Sequence, residues 1–327
     1  MMRMTVLASG SKGNSTVISS SRTRVLVDAG LSCRELLKRM ALSGEDPATL
    51  NAVLITHEHQ DHVAGLGVLA RKLGIPVYFT EPTHRAWVRM LTPRKTMSYA
   101  QWLEHVQREK AARANAATGD PLPGVCDSMS AAVESSGTAE PQLDDPDEPE
   151  SSAPTKADPT FLPAVEYFHA GAQFSIGDID ITPFTIPHDA TDPCGFVFSA
   201  EGSRMAIATD LGYMPPNVKA ALRRIDVLLL ESNHDLEMLK DGPYPWSVKQ
   251  RVLSRVGHLS NLATAEFLQN DYDGTASFIV LGHLSESNNA PELARLSAEQ
   301  ALVNHPTLLG NRVLLAGQSA PLEPICL

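Results

Sequence analysis

The stretch Leu54-Ile-Thr-His57-Glu-His59-Gln-Asp61-His62 runs from an apolar strand straight into three histidines and an aspartate. Imidazole is the usual zinc ligand, and carboxylate oxygen suits hard or borderline cations. His57 and His59 lie two residues apart, so an extended strand end aims both rings to one side. Asp61 and His62 follow as the chain turns toward a helix, and they can face a second spot nearby. One short segment can thus serve two adjacent metals, but four ligands cannot close two sites.

Other strand ends supply the rest. Ile186-Pro-His188-Asp-Ala-Thr-Asp192 follows a strand and ends in a polar loop. Ala206-Ile-Ala-Thr-Asp210 is an apolar strand that ends in an acid, and Ile279-Val-Leu-Gly-His283 is one that ends in a histidine. Singly, each has a plainer reading: a loop histidine, a helix N-cap and a capped core histidine. Together they repeat one device, an apolar strand with one ligand at its tip. The candidate metal ligands are therefore His57, His59, Asp61, His62, His188, Asp210 and His283.

The surrounding pattern is α/β. Short Val-, Ile- and Phe-rich runs bounded by Gly, Asp or Pro predict strands at Met4–Ala8, Ser15–Ser19, Arg24–Asp28, Ala52–Thr56 and Pro76–Phe79. A second set follows at Gln173–Ile176, Ile179–Ile186, Gly195–Ala200, Arg204–Thr209, Val227–Glu231, Phe278–Gly282 and Arg312–Ala316. Helical periodicity covers Cys33–Leu42, Val63–Leu73, His84–Arg113, Ser247–Val256, Leu262–Asn270 and Glu292–Val303. Many strands with helices interspersed indicate a layered α/β body.

Between the two sets lies a stretch of different composition. Residues 114–160 hold ten acids against one base, with seven prolines and runs of Ser, Gly and Ala. Such a segment cannot bury enough apolar surface to offset its ordering entropy, so about 115–160 is expected to be a disordered insertion in a single domain. It carries −9 of the chain's −11, and the remainder is near neutral at −2. The overall acidity therefore does not exclude a phosphate-bearing substrate. No run of apolar residues is long enough for a membrane span, and Met1–Leu7 is too short for a signal peptide. The four cysteines form no CxxC pair and argue for a reducing cytoplasm.

The segment Thr56–His62 resembles the signature of the metallo-β-lactamase-fold hydrolases. The stretches Ala8-Ser-Gly-Ser-Lys-Gly-Asn14, His188-Asp-Ala-Thr-Asp-Pro193, Glu231-Ser-Asn-His-Asp235, Gly257-His-Leu-Ser-Asn261 and Gly282-His-Leu-Ser-Glu-Ser-Asn-Asn289 resemble its YycJ-like (WalJ-like) branch. The similarity spans nearly the whole chain except about 94–165, and the acidic insertion is larger than that branch leads one to expect. The resemblance implies a four-layer αββα sandwich with a dinuclear site along one edge. It implies that His57, His59 and His188 hold one divalent ion, that Asp61, His62 and His283 hold the other, and that Asp210 bridges them. Ligation by His and Asp without Cys is compatible with Zn, Mn or Fe. The activity implied is hydrolysis by a metal-bridging hydroxide, with phosphodiesters, and DNA degraded from its 5′ end, as the first expectation.

Other residues are assigned around that frame. His258, preceded by a glycine that permits close backbone approach, is the candidate catalytic acid by resemblance, with Asp61 as a second catalytic candidate; a structural histidine is the alternative. Asp28 either orients a ligand imidazole or forms a turn. Ser9 and Asn14, in a Gly-rich loop without P-loop spacing, and His234 are candidate substrate contacts, against a plain turn and a surface histidine. Lys249, Arg251 and Arg255 read first as a solvated helix face and second as a phosphate grip. His84, His105, His169 and His305 sit in no ligand pattern. Two other functions stay open: a thioester, lactone or β-lactam hydrolase, and a non-catalytic metal-binding module whose acidic insertion binds a protein partner.

Overall fold

The structure, a computed structural model, describes residues 1–92, 103, 106–108, 158–303 and 310–327. By contacts the chain divides into Met1–Thr92 with Asp158–Leu327, and Pro93–Ala157. The expected insertion up to residue 157, the end of the helix expected to reach Arg113, His105 and His305 lie outside the described residues.

Two seven-stranded mixed sheets form the body. The first contains β1 (Arg3–Ala8), β2 (Ser15–Ser19), β3 (Arg24–Val27), β4 (Ala52–Leu54), β5 (Val77–Phe79) and β6 (Val165–Tyr167), with β14 (Ile325–Cys326) beside β1. The second runs from β7 (Phe174–Ile176) through β8 (Ile179–Thr185), β9 (Cys194–Ala200), β10 (Ser203–Ala208), β11 (Val227–Glu231) and β12 (Phe278–Gly282) to β13 (Arg312–Leu315). Strands β3 to β6 pair in parallel, as do β10 to β13.

Side-chain alternation divides the core into three layers. Val25 and Val27 of β3 and Val227 and Leu229 of β11 share one apolar cluster with Phe196, Phe198 and Val280. Leu26 points the other way, into a cluster with Leu36 and Met40 of α1 (Cys33–Leu42) and Leu66 and Leu69 of α3 (Leu66–Leu73). Leu228 and Leu230 join Phe267 and Leu268 of α8 (Asn261–Asn270) and Ala294 and Ala298 of α9 (Pro291–Leu302). Strands buried on both faces, with helices over each outer face, make the expected four-layer αββα sandwich.

Several elements differ from the expected ones. The helix expected over Val63–Leu73 is two pieces, α2 (Gln60–Val63) and α3. Its break is Gly65, whose amide donates to Ala29 O and whose added Cβ would meet Leu31 O at 2.1 Å. The helix expected from His84 begins earlier, as α4 (Glu81–Leu91), because Thr80 caps it by accepting from the Thr83 amide. It ends before Thr92-Pro93, where proline disfavours the helical conformation of the residue preceding it. The helix expected over Ser247–Val256 is α7 (Trp246–Val252). Strands β6 and β14 and two short helices, α5 (Pro216–Ala221) and α6 (Leu236–Asp241), have too little pattern of their own to be read.

Candidate metal centre

The C-terminal ends of parallel strands in both sheets deliver polar side chains to one place. Beyond β3 comes Asp28, beyond β4 His57, beyond β10 Asp210 and beyond β12 His283, while Glu231 is the last residue of β11. Crevices at such strand ends are where α/β folds bind ligands. Three of these tips bend sharply: Asp28, Asp210 and His283 have φ of 60°, 62° and 55°. Left-handed backbone is uncommon outside glycine and concentrates at functional sites.

The expected ligands come together in groups. His57, His59 and His188 each offer an atom within 4.8 Å of the others, as do Asp61, His62 and His283, and also His57, His62 and Asp210. His188 Nε2 lies 3.2 Å from His59 Nδ1. Asp61 Oδ2 lies 3.6 Å from both His62 Nε2 and His283 Nε2, and Asp210 Oδ2 lies 3.5 Å from His62 Nε2. Three atoms in this space, His57 Nε2, His283 Nε2 and Asp210 Oδ2, are buried without a hydrogen-bond partner. Buried polar atoms are normally paired. Unpartnered polar atoms that converge from three strand ends fit a divalent cation.

The opposite edges of His62, His57 and His188 are held. His62 Nδ1 lies 2.8 Å from Asp28 Oδ2, and Asp28 also accepts from the amide and hydroxyl of Thr56. His57 Nδ1 meets Thr56 Oγ1 at 3.0 Å, and His188 Nδ1 reaches Gly257 O at 3.3 Å. This is the arrangement that orients metal-binding histidines. Of the two readings of Asp28, the orienting one is therefore realised. Glu58 ties the first segment to the His188 loop by accepting from the Thr191 amide.

Glu231 belongs to the same constellation, and its role is not among the sequence-based expectations. It is fully buried, and its Oε1 lies 2.8 Å from both His258 Nδ1 and His283 Nδ1. Its Oε2 accepts from the amides of Leu211 and Leu259. The signal available was its position, an acid closing an apolar strand as Asp210 does.

Asn14 donates to Asp61 Oδ2 at 3.2 Å and lies 3.0 Å from His62 Nε2, while Ser9 Oγ accepts from the His283 amide. A cavity of about 250 Å³ opens over the site, lined by Ser11, Asp61, His188, Tyr244, Arg251 and His258 among others. Ser9, Asn14 and His234 are not in its lining. Ser9 and Asn14 instead hydrogen-bond the ligand candidates His283 and Asp61, and His234 is only 1 % exposed, its backbone bridged to Ser260. Gly257, before His258, lets backbone approach as expected, since an added Cβ would meet Val252 O at 2.1 Å.

Burial and mutual crowding divide the imidazoles. Burial, with the neighbouring His62 and His188, keeps His57 far below the ordinary histidine range and hence neutral. Burial works against charge on His62, but the carboxylates of Asp28, Asp210 and Asp61 outweigh it and raise His62 to about 9. His283 is likewise raised, since Asp210, Asp61 and Glu231 overcome its burial. Asp61 and Asp210 are held below the usual carboxylate range by the same imidazoles, in spite of burial.

The αββα layers and this strand-tip cluster define a metallo-hydrolase, and the chain belongs to the metallo-beta-lactamase superfamily, whose family model matches residues 8–248. The His/Asp clusters of that fold mark a divalent-metal-binding site. The chain is 32 % identical over 295 residues to exodeoxyribonuclease WalJ of Streptococcus pneumoniae, covering 90 % of this chain and 86 % of that protein. It is 33 % identical over 304 residues to exodeoxyribonuclease YycJ of Bacillus anthracis, covering 92 % and 89 %. The fold is shared with the metallo-beta-lactamase fold protein YhfI of Bacillus subtilis, with a TM-score of 0.58, 15 % identity and 99 % and 100 % coverage. No helix among the described residues is long and apolar enough to cross a membrane.

Proposed function

We propose that the protein is a dinuclear-metal exodeoxyribonuclease that degrades DNA from the 5′ end. One observation carries this reading beyond metal-dependent hydrolysis at large: an imidazole outside the expected ligand set, His258, lines the cavity and is held by the buried Glu231. Phosphodiester cleavage expels an alkoxide, which needs a proton. The exodeoxyribonuclease relatives favour DNA over thioesters or lactones.

His57, His59 and His188 would hold one ion, Asp61, His62 and His283 the other, and Asp210 would face both. Zn or Mn suits this donor set, and Fe is compatible with it. Two such cations supply water of lowered pKa and stabilise charge on phosphoryl oxygens. The chain's own part is to position and to transfer protons. Asp28 fixes His62, Glu231 fixes both His283 and His258, and His258 so held would hand a proton to the leaving oxygen. In this reading Asp61 acts as a ligand and not as a separate acid.

The reading also takes the chain as one catalytic body interrupted at about 115–160, active in the cytoplasm, with the acidic insertion free to engage a protein partner. The test is digestion of 5′- and 3′-labelled DNA with Mn²⁺ or Zn²⁺. Wild-type protein is expected to release nucleotides from the 5′ end, and His57→Ala to leave the DNA intact. Wild-type protein as inert as the variant with both metals would overturn the proposal.

A further inference from the structure

Three basic residues near His258 have three different fates. Lys249 is buried, and its Nζ donates to Lys240 O. Arg255 lies over the Tyr213 ring, 4.3 Å from its centroid. Arg251 alone of the three lines the cavity, where it shares the wall with Asp61, His188 and His258. Its Nε pairs with the carboxylate of Asp189, the residue next to His188. That pairing anchors the guanidinium and leaves its two terminal nitrogens without a hydrogen bond to the described residues, on a side chain 58 % exposed. A guanidinium fixed at one nitrogen and open at two presents a fork suited to a phosphate.

The same short segment carries aromatic rings. Tyr244 lines the cavity, and Trp246, two residues on, is 67 % exposed. The cavity, about 250 Å³, falls just under the ~300–1,000 Å³ of ordinary small-molecule pockets. A space of that size, shared with the candidate ligands, admits only the terminal part of a strand and not a duplex. Cationic grips interleaved with aromatic rings are how proteins hold single strands without reading their sequence.

We infer that residues 244–251 form a single-strand-binding edge, in which Arg251 grips the phosphate next to the reacting one, Tyr244 stacks the base inside the cavity and Trp246 stacks the next base outward. This rests on the nuclease reading above. It further implies that the end of a strand is taken up unpaired and irrespective of its sequence.

The test uses full-length, metal-loaded protein and a 5′-labelled single-stranded oligonucleotide, with melting temperature and metal content matched among variants. Arg251→Gln is expected to raise KM about tenfold while kcat stays within about threefold. Its plot of log KM against log salt should lose about 0.7 in slope, the share of one strand phosphate. Arg251→Lys keeps the charge and should restore the slope. Tyr244→Ala is expected to raise KM about fivefold or more with the slope unchanged, because stacking releases no counterions. Normal cleavage by Arg251→Gln with wild-type KM and salt slope overturns the inference and leaves the nuclease reading standing. Should wild-type protein cleave no DNA, the nuclease reading fails, and fluorescence anisotropy of the same oligonucleotide decides the edge: an unchanged salt slope of Kd in Arg251→Gln overturns it.

Discussion

The two sheets each bury a carboxylate behind the metal centre, and the two carboxylates serve differently. Asp28, at the tip of β3, orients the single imidazole of His62. Glu231, at the tip of β11, takes two imidazoles on one oxygen, His283 and His258. Burial raises the Asp28 carboxyl above its ordinary value despite His62 and Thr56, whereas His258 and His283 together pull Glu231 below its own in spite of burial. Two imidazoles, with the amides of Leu211 and Leu259, favour the Glu231 carboxylate, whereas Asp28 has one imidazole and Thr56. In the proposed mechanism the first sheet's carboxylate would support one ion-holding imidazole only. The second sheet's carboxylate would join an ion-holding imidazole to the cavity-facing His258, so that metal and proton donor would share a single support.

That contrast is most directly broken at the cavity-facing imidazole. His258→Ala is expected to lower kcat on DNA by about 10²–10⁴-fold, the range of general acid catalysis, with metal content unchanged. Equal loss of bound metal and of activity would show that His258 serves as a ligand instead. The two carboxylates give the next comparison. Asp28→Asn and Glu231→Gln should each weaken metal affinity by about 10–100-fold, as changes to residues supporting a metal ligand do. Only Glu231→Gln should keep a kcat defect when metal is saturating, measured by activity across a metal titration. Full rescue of both by excess metal would erase the distinction between the sheets.

The smallest effect concerns protons. In the metal-free protein His62 stays protonated up to about 9, so an ion taking its Nε2 must displace a proton. Metal affinity should rise with pH through about 9, with at least about one proton released per chain at neutral pH. Calorimetry in buffers of different ionisation enthalpy measures this number, and a value of zero would contradict the charge state assigned to His62.

Which of these residues could be read from sequence follows from how locally they are specified. His57, His59, Asp61 and His62 are legible because one strand end carries all four within six residues. His188, Asp210 and His283 are legible only as a repeated device, each weak on its own. Glu231 has one local mark, its place at the end of an apolar strand, and that does not give its role: the imidazoles it supports lie 27 and 52 residues further on. Ser9 and His234 look like site residues by neighbourhood, yet neither lines the cavity: the Ser9 hydroxyl accepts from the His283 amide, and His234 is buried.

Local chemistry in the chain settled the alternation of the strands, most of the helices and the convergence of imidazole and carboxylate on one kind of chemistry, because periodicity and ligand type are properties of neighbouring residues. Tertiary structure alone decided which atoms of those ligands face inward, which of three basic residues reaches the cavity, and that Ile325–Cys326 closes the first sheet beside β1. Those outcomes depend on distances between segments far apart in the chain, which spacing along the backbone does not encode.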